Sequence, residues 1–279
     1  MNSMAKSESS SRIVTSVVAV ISAAALAVSL IAAGFAACAV PDVSTKALAS
    51  AYSTDDASPF TKDELVAAAV QTKHYTIDDN DKAAVYATIA AINAQEALAG
   101  TAGKGAPKID ATANYAAGEL SGEQVAALET AFDAASERYV LTPDAVSHLD
   151  DVFGVVQAAK GWLLAAVLAA CVGCTATAFR GGKRLLGRVL AGAGVSVLAV
   201  FALLAAWVAI DFDGFFAQFH SLFFAAGTWT FSWDSLLICM YPPEFWVGMG
   251  AIWLVVTVAC CVVCITIGRL LRKGSTQKR

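Results

Sequence analysis

The sequence has few charged residues and few prolines. Only 15% of its 279 residues are Asp, Glu, Lys or Arg, and proline occurs six times. A soluble globular domain carries roughly 25% charged residues, so this composition argues against a wholly water-exposed protein. With a hydrophobic share of 57%, the expected environment of much of the chain is a lipid bilayer.

Several signatures of enzymes and binding proteins are missing as well. The sequence contains no glycine-rich phosphate loop, no zinc-protease helix and no serine-nucleophile elbow. Its net charge of −4 is the sum of an acidic segment and several basic ones, so it indicates no nucleic-acid partner. We expect no metal and no cofactor, and the sequence does not indicate an oligomeric state.

Long uncharged runs are the main feature that is present. Three of them, at 13–40, 189–210 and 247–268, have the roughly 20 residues that a helix needs to cross hydrocarbon, and a fourth at 161–179 is slightly shorter. Backbone polar groups have no water to bind inside lipid, so each run must be helical. The sequence therefore predicts an all-α polytopic membrane bundle of four transmembrane helices.

The basic residues predict the orientation of these spans. They precede the first run, fill the connection between the second and third, and follow the last. By the positive-inside rule, both termini are then cytoplasmic and the segments 41–147 and 211–246 face outward. The residues concerned are Lys6, Arg12, Arg180, Lys183, Arg184, Arg188, Arg269, Arg272, Lys273, Lys278 and Arg279.

These runs divide the chain into five predicted regions. They are 1–40 (cytoplasmic N-terminus and first span), 41–147 (extracytoplasmic helical domain), 148–210 (second and third spans with a basic loop), 211–246 (aromatic extracytoplasmic or re-entrant loop) and 247–279 (fourth span and basic tail). The residues before Cys38 faintly resemble a lipoprotein cleavage box, but Phe35 is wrong at its first position. An uncleaved anchor is the favoured interpretation over a signal peptide.

The 41–147 segment is predicted to be an Ala-rich helical insertion. Thr61 with Glu64, and Ser121 with Gln124, have the spacing of capping boxes at helix starts. Apolar residues from 81 to 98 recur at helical spacing, and Gly100 is placed to end that helix. The stretch 101–117 lacks such a period and is predicted to be a loop.

Small residues and cysteines lie inside the predicted spans. Gly187, Ala191, Gly194 and Ser196 indicate close packing of the third span against another helix. Cys171 and Cys174 form one pair and Cys260, Cys261 and Cys264 another group, a spacing that can bind zinc or form disulfides. Their Ala and Val surroundings favour inert thiols instead, and the sequence does not pair Cys38 with Cys239.

The first candidate site residue is His148. Thr142 and Pro143 are typical of a helix start, and the helix should then continue into the second span. Asp144 lies four residues before His148 and Asp151 three residues after it, so all three share one helix face. A histidine next to carboxylates is therefore expected at the outer end of the bundle. From the residues alone, such a histidine is more often a solvated helix end than a catalytic group.

The second candidate, His220, lies within the aromatic segment 211–246. So many aromatic side chains would be insoluble on a free loop, so the segment must lie at the membrane interface or fold back. An imidazole in such a half-wet apolar site can carry protons near neutral pH. The aromatic residues are Phe212, Phe215, Phe216, Phe219, Phe223, Phe224, Trp229, Phe231, Trp233, Tyr241, Phe245 and Trp246.

These motifs resemble those of the bacterial integral membrane proteins that include the lipoprotein intramolecular transacylases, called Lit. The matching features, in chain order, are His148 to Val152 opening the second span, Asp213 to Phe224 around His220, Trp229 with Phe231, and Pro243 to Trp246 opening the fourth span. The Ala-rich stretch 83–117 has no expected counterpart in that family.

The resemblance implies a bacterial cytoplasmic membrane enzyme whose active face is extracytoplasmic. Its partners are then membrane lipid and a diacylglyceryl lipoprotein, whose sn-2 acyl chain moves to the amine of the N-terminal cysteine. The resemblance implies His148 and His220 as the acid/base pair, with Asp151, Asp144 and Asp213 in orienting or supporting roles. It further implies that Pro243 and Glu244 support the start of the fourth span. Six aromatic residues would contact the acyl chain or the membrane interface: Phe219, Phe223, Phe224, Trp229, Phe231 and Trp246.

Two other functional classes fit the residues. One is a non-catalytic membrane scaffold or sensor that binds a partner through its outer helical domain. The other is a two-histidine metal or haem site. Convergence of the two imidazoles would favour the enzyme, and a porphyrin-sized gap between them would favour haem.

Overall fold

The computed structural model describes residues 2–116 and 120–274, with side chains from residue 11 onward. This part of the chain contains helices and no strands, as the sequence predicts. Lys278, Arg279 and the side chain of Lys6, which belong to the predicted basic tail and N-terminus, lie outside it. The helices are α1 (Asn2–Ala39), α2 (Asp42–Tyr52), α3 (Lys62–Ile77), α4 (Lys82–Ala99), α5 (Gly122–Asp133), α6 (Pro143–Ile210), α7 (Phe212–Ser221), α8 (Leu236–Met240) and α9 (Pro243–Gly274).

Three of the described helices are long and apolar enough to cross a membrane. They are Ser11–Ala39 within α1, α6 and α9, so the predicted count of four is not confirmed. The predicted second and third spans both lie in α6, which is 68 residues long. Its backbone leaves the helical region at Gly182, where φ is 70° and ψ is −178°. Glycine tolerates this left-handed φ because it has no Cβ.

The chain divides into two compact units. The first contains Ala158–Phe215 with the two terminal regions, up to Ala37 and from Ala251 onward. The second contains Cys38–Gln157 and Phe216–Gly250.

Close helix packing in the first unit depends on glycine. A Cβ added at Gly187 would lie 2.5 Å from the carbonyl oxygen of Gly268, and one added at Gly268 would lie 2.6 Å from that of Gly187. At Gly194 an added Cβ would lie 2.9 Å from Ile265. The predicted packing role of Gly187 and Gly194 is therefore confirmed. In helices that associate within lipid, such backbone contact is a main source of affinity.

Replacing Gly187 with alanine should lower the thermal unfolding midpoint of the detergent-purified protein. The new methyl group meets a backbone carbonyl that cannot turn away, and overpacking of this kind costs about 1–3 kcal/mol. Gly192→Ala is the matched control, because an added Cβ there has no neighbour within 4 Å. Alanine also favours a helix over glycine, so the control should be neutral or stabilised. A Gly187→Ala midpoint equal to that of Gly192→Ala would contradict this packing.

The second unit begins its helices where the sequence predicts. Thr61 forms a capping box with Glu64 and Ser121 forms one with Gln124. α4 ends at Gly100, which has a left-handed φ of 73°. Residues 101–116 form no helix, which confirms that part of the predicted loop. Residue 117 lies outside the described residues.

A buried helix fixes the downstream end of the aromatic segment. Leu236, Cys239 and Met240 of α8 are fully buried, and the carbonyl of Cys239 accepts a hydrogen bond from the backbone N–H of Thr54 at 2.9 Å. The hydroxyl of Ser53 donates to the carbonyl of Met240 at 3.0 Å. These bonds attach α8 to the residues that follow α2.

The first turns of α6 are attached to the end of α3. α6 begins at Pro143, and the side chain of Thr142 accepts the backbone N–H of Ala145 at 3.3 Å, as predicted. The hydroxyl of Tyr75 donates to Asp150, and the side-chain amide of Asn80 donates to the same carboxylate at 3.1 Å. These contacts hold one side of the helix and so fix the direction in which His148 points.

Candidate functional site

His148 lies in the second turn of α6 and is buried. Only 8% of the residue is exposed. Its ring meets Phe224 edge-on, with centroids 4.8 Å apart, and lies 5.7 Å from Phe231. Both phenylalanines come from the aromatic segment, so that segment folds back over α6 within the second unit.

His220 lies near the end of α7 and is half-buried. Its Nδ1 atom is 2.8 Å from the backbone carbonyl oxygen of Phe216, one helical turn earlier. A carbonyl oxygen only accepts hydrogen bonds, so Nδ1 carries the proton in the neutral ring. Nε2 is then unprotonated, and its lone pair can accept a proton from another molecule.

The two imidazoles converge. Their ring centroids are 6.3 Å apart and their planes differ by 30°. Phe224 lies against both, at 4.8 Å from His148 and 5.7 Å from His220. Trp229 lies 4.9 Å and Phe216 4.0 Å from His220. We call this group, His148, Phe216, His220, Phe224, Trp229 and Phe231, the imidazole cluster.

The surroundings of the imidazole cluster favour neutral rings. Burial lowers the pKa of His220, and the hydrogen bond that it donates to Phe216 offsets only part of that effect. A positive charge on one imidazole also opposes a positive charge on the other at this separation. Near neutral pH, His220 is therefore unprotonated at Nε2.

Two buried polar atoms of the imidazole cluster lack a hydrogen-bond partner. Nδ1 of His148 and Nε1 of Trp229 are shielded from solvent, and neither reaches an acceptor or donor within the described ranges. Leaving such a group unsatisfied costs roughly 1–3 kcal/mol. Buried polar groups in native proteins nearly always have a partner, and catalytic sites are among the places where exceptions occur.

The carboxylates expected to orient His148 do not bind its ring. Asp144 and Asp151 are exposed, and the described residues include no hydrogen bond from either of them to His148. Although the three residues share one helix face, His148 turns into the aromatic rings, while the charged carboxylates keep their contact with water. In this part of α6 the hydrogen-bonded carboxylate is that of Asp150, which accepts from Tyr75 and Asn80 rather than from His148.

Asp213 is exposed in the first turn of α7, but a different aspartate caps this helix. The side chain of Asp211 accepts the backbone N–H of Gly214 at 2.8 Å. Sequence reasoning missed this cap, although an acceptor three residues before a free N–H is a recognised helix-start signal. Sequence reasoning also missed the role of the Phe216 carbonyl, which accepts the Nδ1–H of His220 and so fixes its tautomer. The spacing of four residues, which brings two residues together on a helix, could have indicated this hydrogen bond.

The predicted aromatic set is only partly gathered around the imidazoles. Phe219, Phe224, Trp229 and Phe231 each contact an imidazole ring. Phe223 instead packs on its neighbours Phe219 and Phe224.

Trp246 lies outside the imidazole cluster and belongs to the start of α9. It packs on Tyr241 and Phe245, and its indole N–H donates to the carbonyl of Tyr241 at 3.1 Å. Pro243 is the first residue of α9 and Glu244 lies in its first turn. Both have the positions proposed for helix-start support.

The geometry does not provide the gap that haem needs. Bis-histidine ligation requires a flat open slot between two imidazoles, wide enough for a porphyrin. Here Phe224 packs beside both imidazoles, and Phe231 and Trp229 each contact one of them, so aromatic side chains take up the space around the rings that a porphyrin would need. The seven cysteines are all free thiols, so the disulfide alternative that their spacing left open is not found.

Phe224→Ala should raise the pKa of His220 towards the ordinary imidazole value of about 6.5. Removing this ring lets water reach the imidazole and reduces the burial that lowers its pKa. NMR titration of histidine labelled at the ring Cε1 measures the change. Phe223→Ala is the matched control, since in the described structure Phe223 packs on other phenylalanines. An equal pKa of His220 in both variants and the parent would show that Phe224 does not exclude water.

Comparison with known proteins identifies similar sequences and folds. Residues 110–246 match the sequence profile of lipoprotein intramolecular transacylase Lit, a range that includes every proposed site residue. No curated protein matches the sequence at a significant level. The structure of Lit from Bacillus cereus is similar, with a TM-score of 0.60 and 15% identity over 95% of this chain and 98% of that one.

Two solved variants of the same Bacillus cereus protein, with a histidine replaced by arginine or alanine, are similar too. Each has a TM-score of 0.60 and 15% identity. The match to the arginine variant covers 100% of this chain and 99% of that one. The absence of a counterpart for the Ala-rich stretch 83–117 stays a prediction, since these coverages describe the chain as a whole.

Proposed function

We propose that this protein, whose residues 110–246 match the Lit sequence profile, is a membrane acyltransferase that converts a diacylglyceryl lipoprotein to its lyso form. The proposal depends on one observation above all, the 6.3 Å separation of the His148 and His220 rings. The family's own description, lipoprotein intramolecular transacylase, names the substrate and the reaction class.

The reaction joins two groups of one substrate. The amine nitrogen of the N-terminal cysteine attacks the carbonyl carbon of the sn-2 ester, so that a C–N bond forms and a tetrahedral oxyanion develops. The bond from that carbon to the sn-2 oxygen then breaks. One proton leaves the nitrogen and one reaches the departing oxygen, so the enzyme ends in its starting protonation state and needs no covalent intermediate.

His220 is the proposed proton acceptor. Its Nδ1–H is committed to the carbonyl of Phe216, which leaves Nε2 as the basic atom, and its lowered pKa keeps this atom unprotonated near pH 7. His148 is the proposed partner that helps to return the proton to the sn-2 oxygen. The imidazolium formed at His220 is short-lived, because burial and the neighbouring ring both disfavour the charge.

The aromatic residues supply the remaining requirements. Phe219, Phe224 and Phe231 present apolar surface beside the imidazoles, which suits the acyl chain being moved. They also limit the access of water, which would otherwise hydrolyse the ester. Phe223 and Trp246 are 48% and 42% exposed and suit contact with the membrane interface.

The proposed topology has four crossings in a bacterial cytoplasmic membrane. Helix α6 is about 100 Å long if straight, which exceeds three hydrocarbon thicknesses, so it must turn at Gly182 and cross twice. By the positive-inside rule, the basic residues on both sides of Gly182 favour a cytoplasmic position for this turn, as they do for both termini. The imidazole cluster then belongs to the extracytoplasmic side, where lipoproteins carry their lipid.

Purified protein should convert a synthetic diacylglyceryl lipopeptide to the N-acylated lyso product, detected by mass spectrometry. Replacing either His220 or His148 with alanine should reduce the rate by about 10²- to 10⁴-fold, the usual contribution of a positioned acid or base. His74→Gln is the control, because the third histidine pairs with Asp42 and Asp78 instead.

Other outcomes discriminate between the candidate functions. Unchanged rates in both alanine variants would remove the histidine mechanism while leaving the acyltransferase in place. No conversion by the parent protein, in detergent or in vesicles, would favour the membrane scaffold.

A further inference from the structure

The indole N–H of Trp229 has no role in the chemistry described above. Its Nε1 atom is buried and has no acceptor among the described residues, although the ring lies 4.9 Å from His220 and 6.3 Å from Phe216. Two other indoles of the described chain have acceptors within the protein. Trp246 donates to the carbonyl of Tyr241 at 3.1 Å, and Trp253 donates to that of Ile31 at 3.0 Å.

The chemistry of indole restricts what this atom can do. Its N–H is a hydrogen-bond donor only, and it neither accepts nor releases a proton at ordinary pH. Trp229 therefore cannot act as a third acid or base beside His148 and His220. The partner that it lacks must be an acceptor, and an oxygen with developing negative charge is the strongest one.

The reaction proposed above generates such an oxygen. When the amine attacks the sn-2 ester, the carbonyl oxygen becomes an oxyanion, and the two imidazoles do not neutralise it while they handle the amine and leaving-group protons. A donor that is fixed before the reaction and shielded from water stabilises this charge more than bulk water does. Trp229 is held in place by its packing on His220 and Phe216.

We infer that Trp229 is a catalytic residue, whose indole N–H donates a hydrogen bond to the oxyanion formed from the sn-2 ester carbonyl. This assignment rests on the proposed function. It replaces the acyl-chain or interface role that the family resemblance implies for Trp229 with a direct contact to the reacting atoms. Because Nε1 is shielded from solvent, the carbonyl reaches it only when an aromatic ring of the imidazole cluster moves aside.

The sharpest test removes the N–H and keeps the shape of the ring. Benzothienylalanine, in which sulfur replaces the indole N–H, can be placed at position 229 of the full chain by amber suppression. With the diacylglyceryl lipopeptide as substrate, kcat should fall by about 10²- to 10³-fold, the usual effect of losing one oxyanion donor. KM should change little, because the bond forms mainly in the transition state.

Binding measurements give a second readout that does not depend on turnover. A lipopeptide analogue with a phosphonate in place of the sn-2 ester mimics the oxyanion, and an analogue with an sn-2 ether lacks the carbonyl. The position-229 isostere should bind the phosphonate more weakly than the parent and the ether equally well. The same replacement at Trp233, which is 74% exposed on the same segment, is the control and should leave kcat unchanged.

The outcomes separate this assignment from the proposed function. The assignment is supported if kcat and phosphonate affinity fall when benzothienylalanine replaces Trp229 and do not fall when it replaces Trp233. Full kcat in that isostere, together with an active parent and inactive His220→Ala, overturns the donor and leaves the acyltransferase standing. Absence of conversion by the parent protein overturns both.

Discussion

The confinement of two imidazoles within an aromatic cluster is the constraint on which this account depends. An imidazole in water is half-protonated near pH 6.5, and two charged rings 6.3 Å apart would repel each other. Phe224 and its neighbours keep the rings close and disfavour charge. The carbonyl of Phe216 then fixes which nitrogen of His220 is free. The result is a basic atom in a dry site, which suits proton removal from an amine beside an ester.

The rest of the second unit positions this cluster. Asp150, held by Tyr75 and Asn80, fixes the side of α6 that carries His148. The buried α8 fixes the downstream end of the aromatic segment that carries His220, Phe224 and Trp229. The cluster is thus built from two distant parts of the chain, each attached through hydrogen bonds that do not involve the imidazoles.

Local signals in the sequence predicted much of this fold. The capping boxes at Thr61 and Ser121, the helix end at Gly100 and the start at Pro143 depend on neighbouring residues alone, and all are found. Asp151 makes no hydrogen bond to His148 in the described structure, because helical spacing indicates a shared face but not which side chains turn inward. The two apolar runs of α6 were predicted as separate helices because basic residues divide them, and the backbone does leave the helical region between them, at Gly182. The approach of His220 to His148 was expected only from the family resemblance, since contacts between distant segments depend on tertiary packing.

Paired action of the imidazoles is tested most directly by combining their substitutions. Rates of lipopeptide conversion should be measured for His148→Ala, His220→Ala and the double variant. Groups that act as one unit give strongly non-additive losses, so the double variant should be no slower than the slower single variant. A loss in the double variant equal to the product of the two single losses would contradict a shared proton-transfer function.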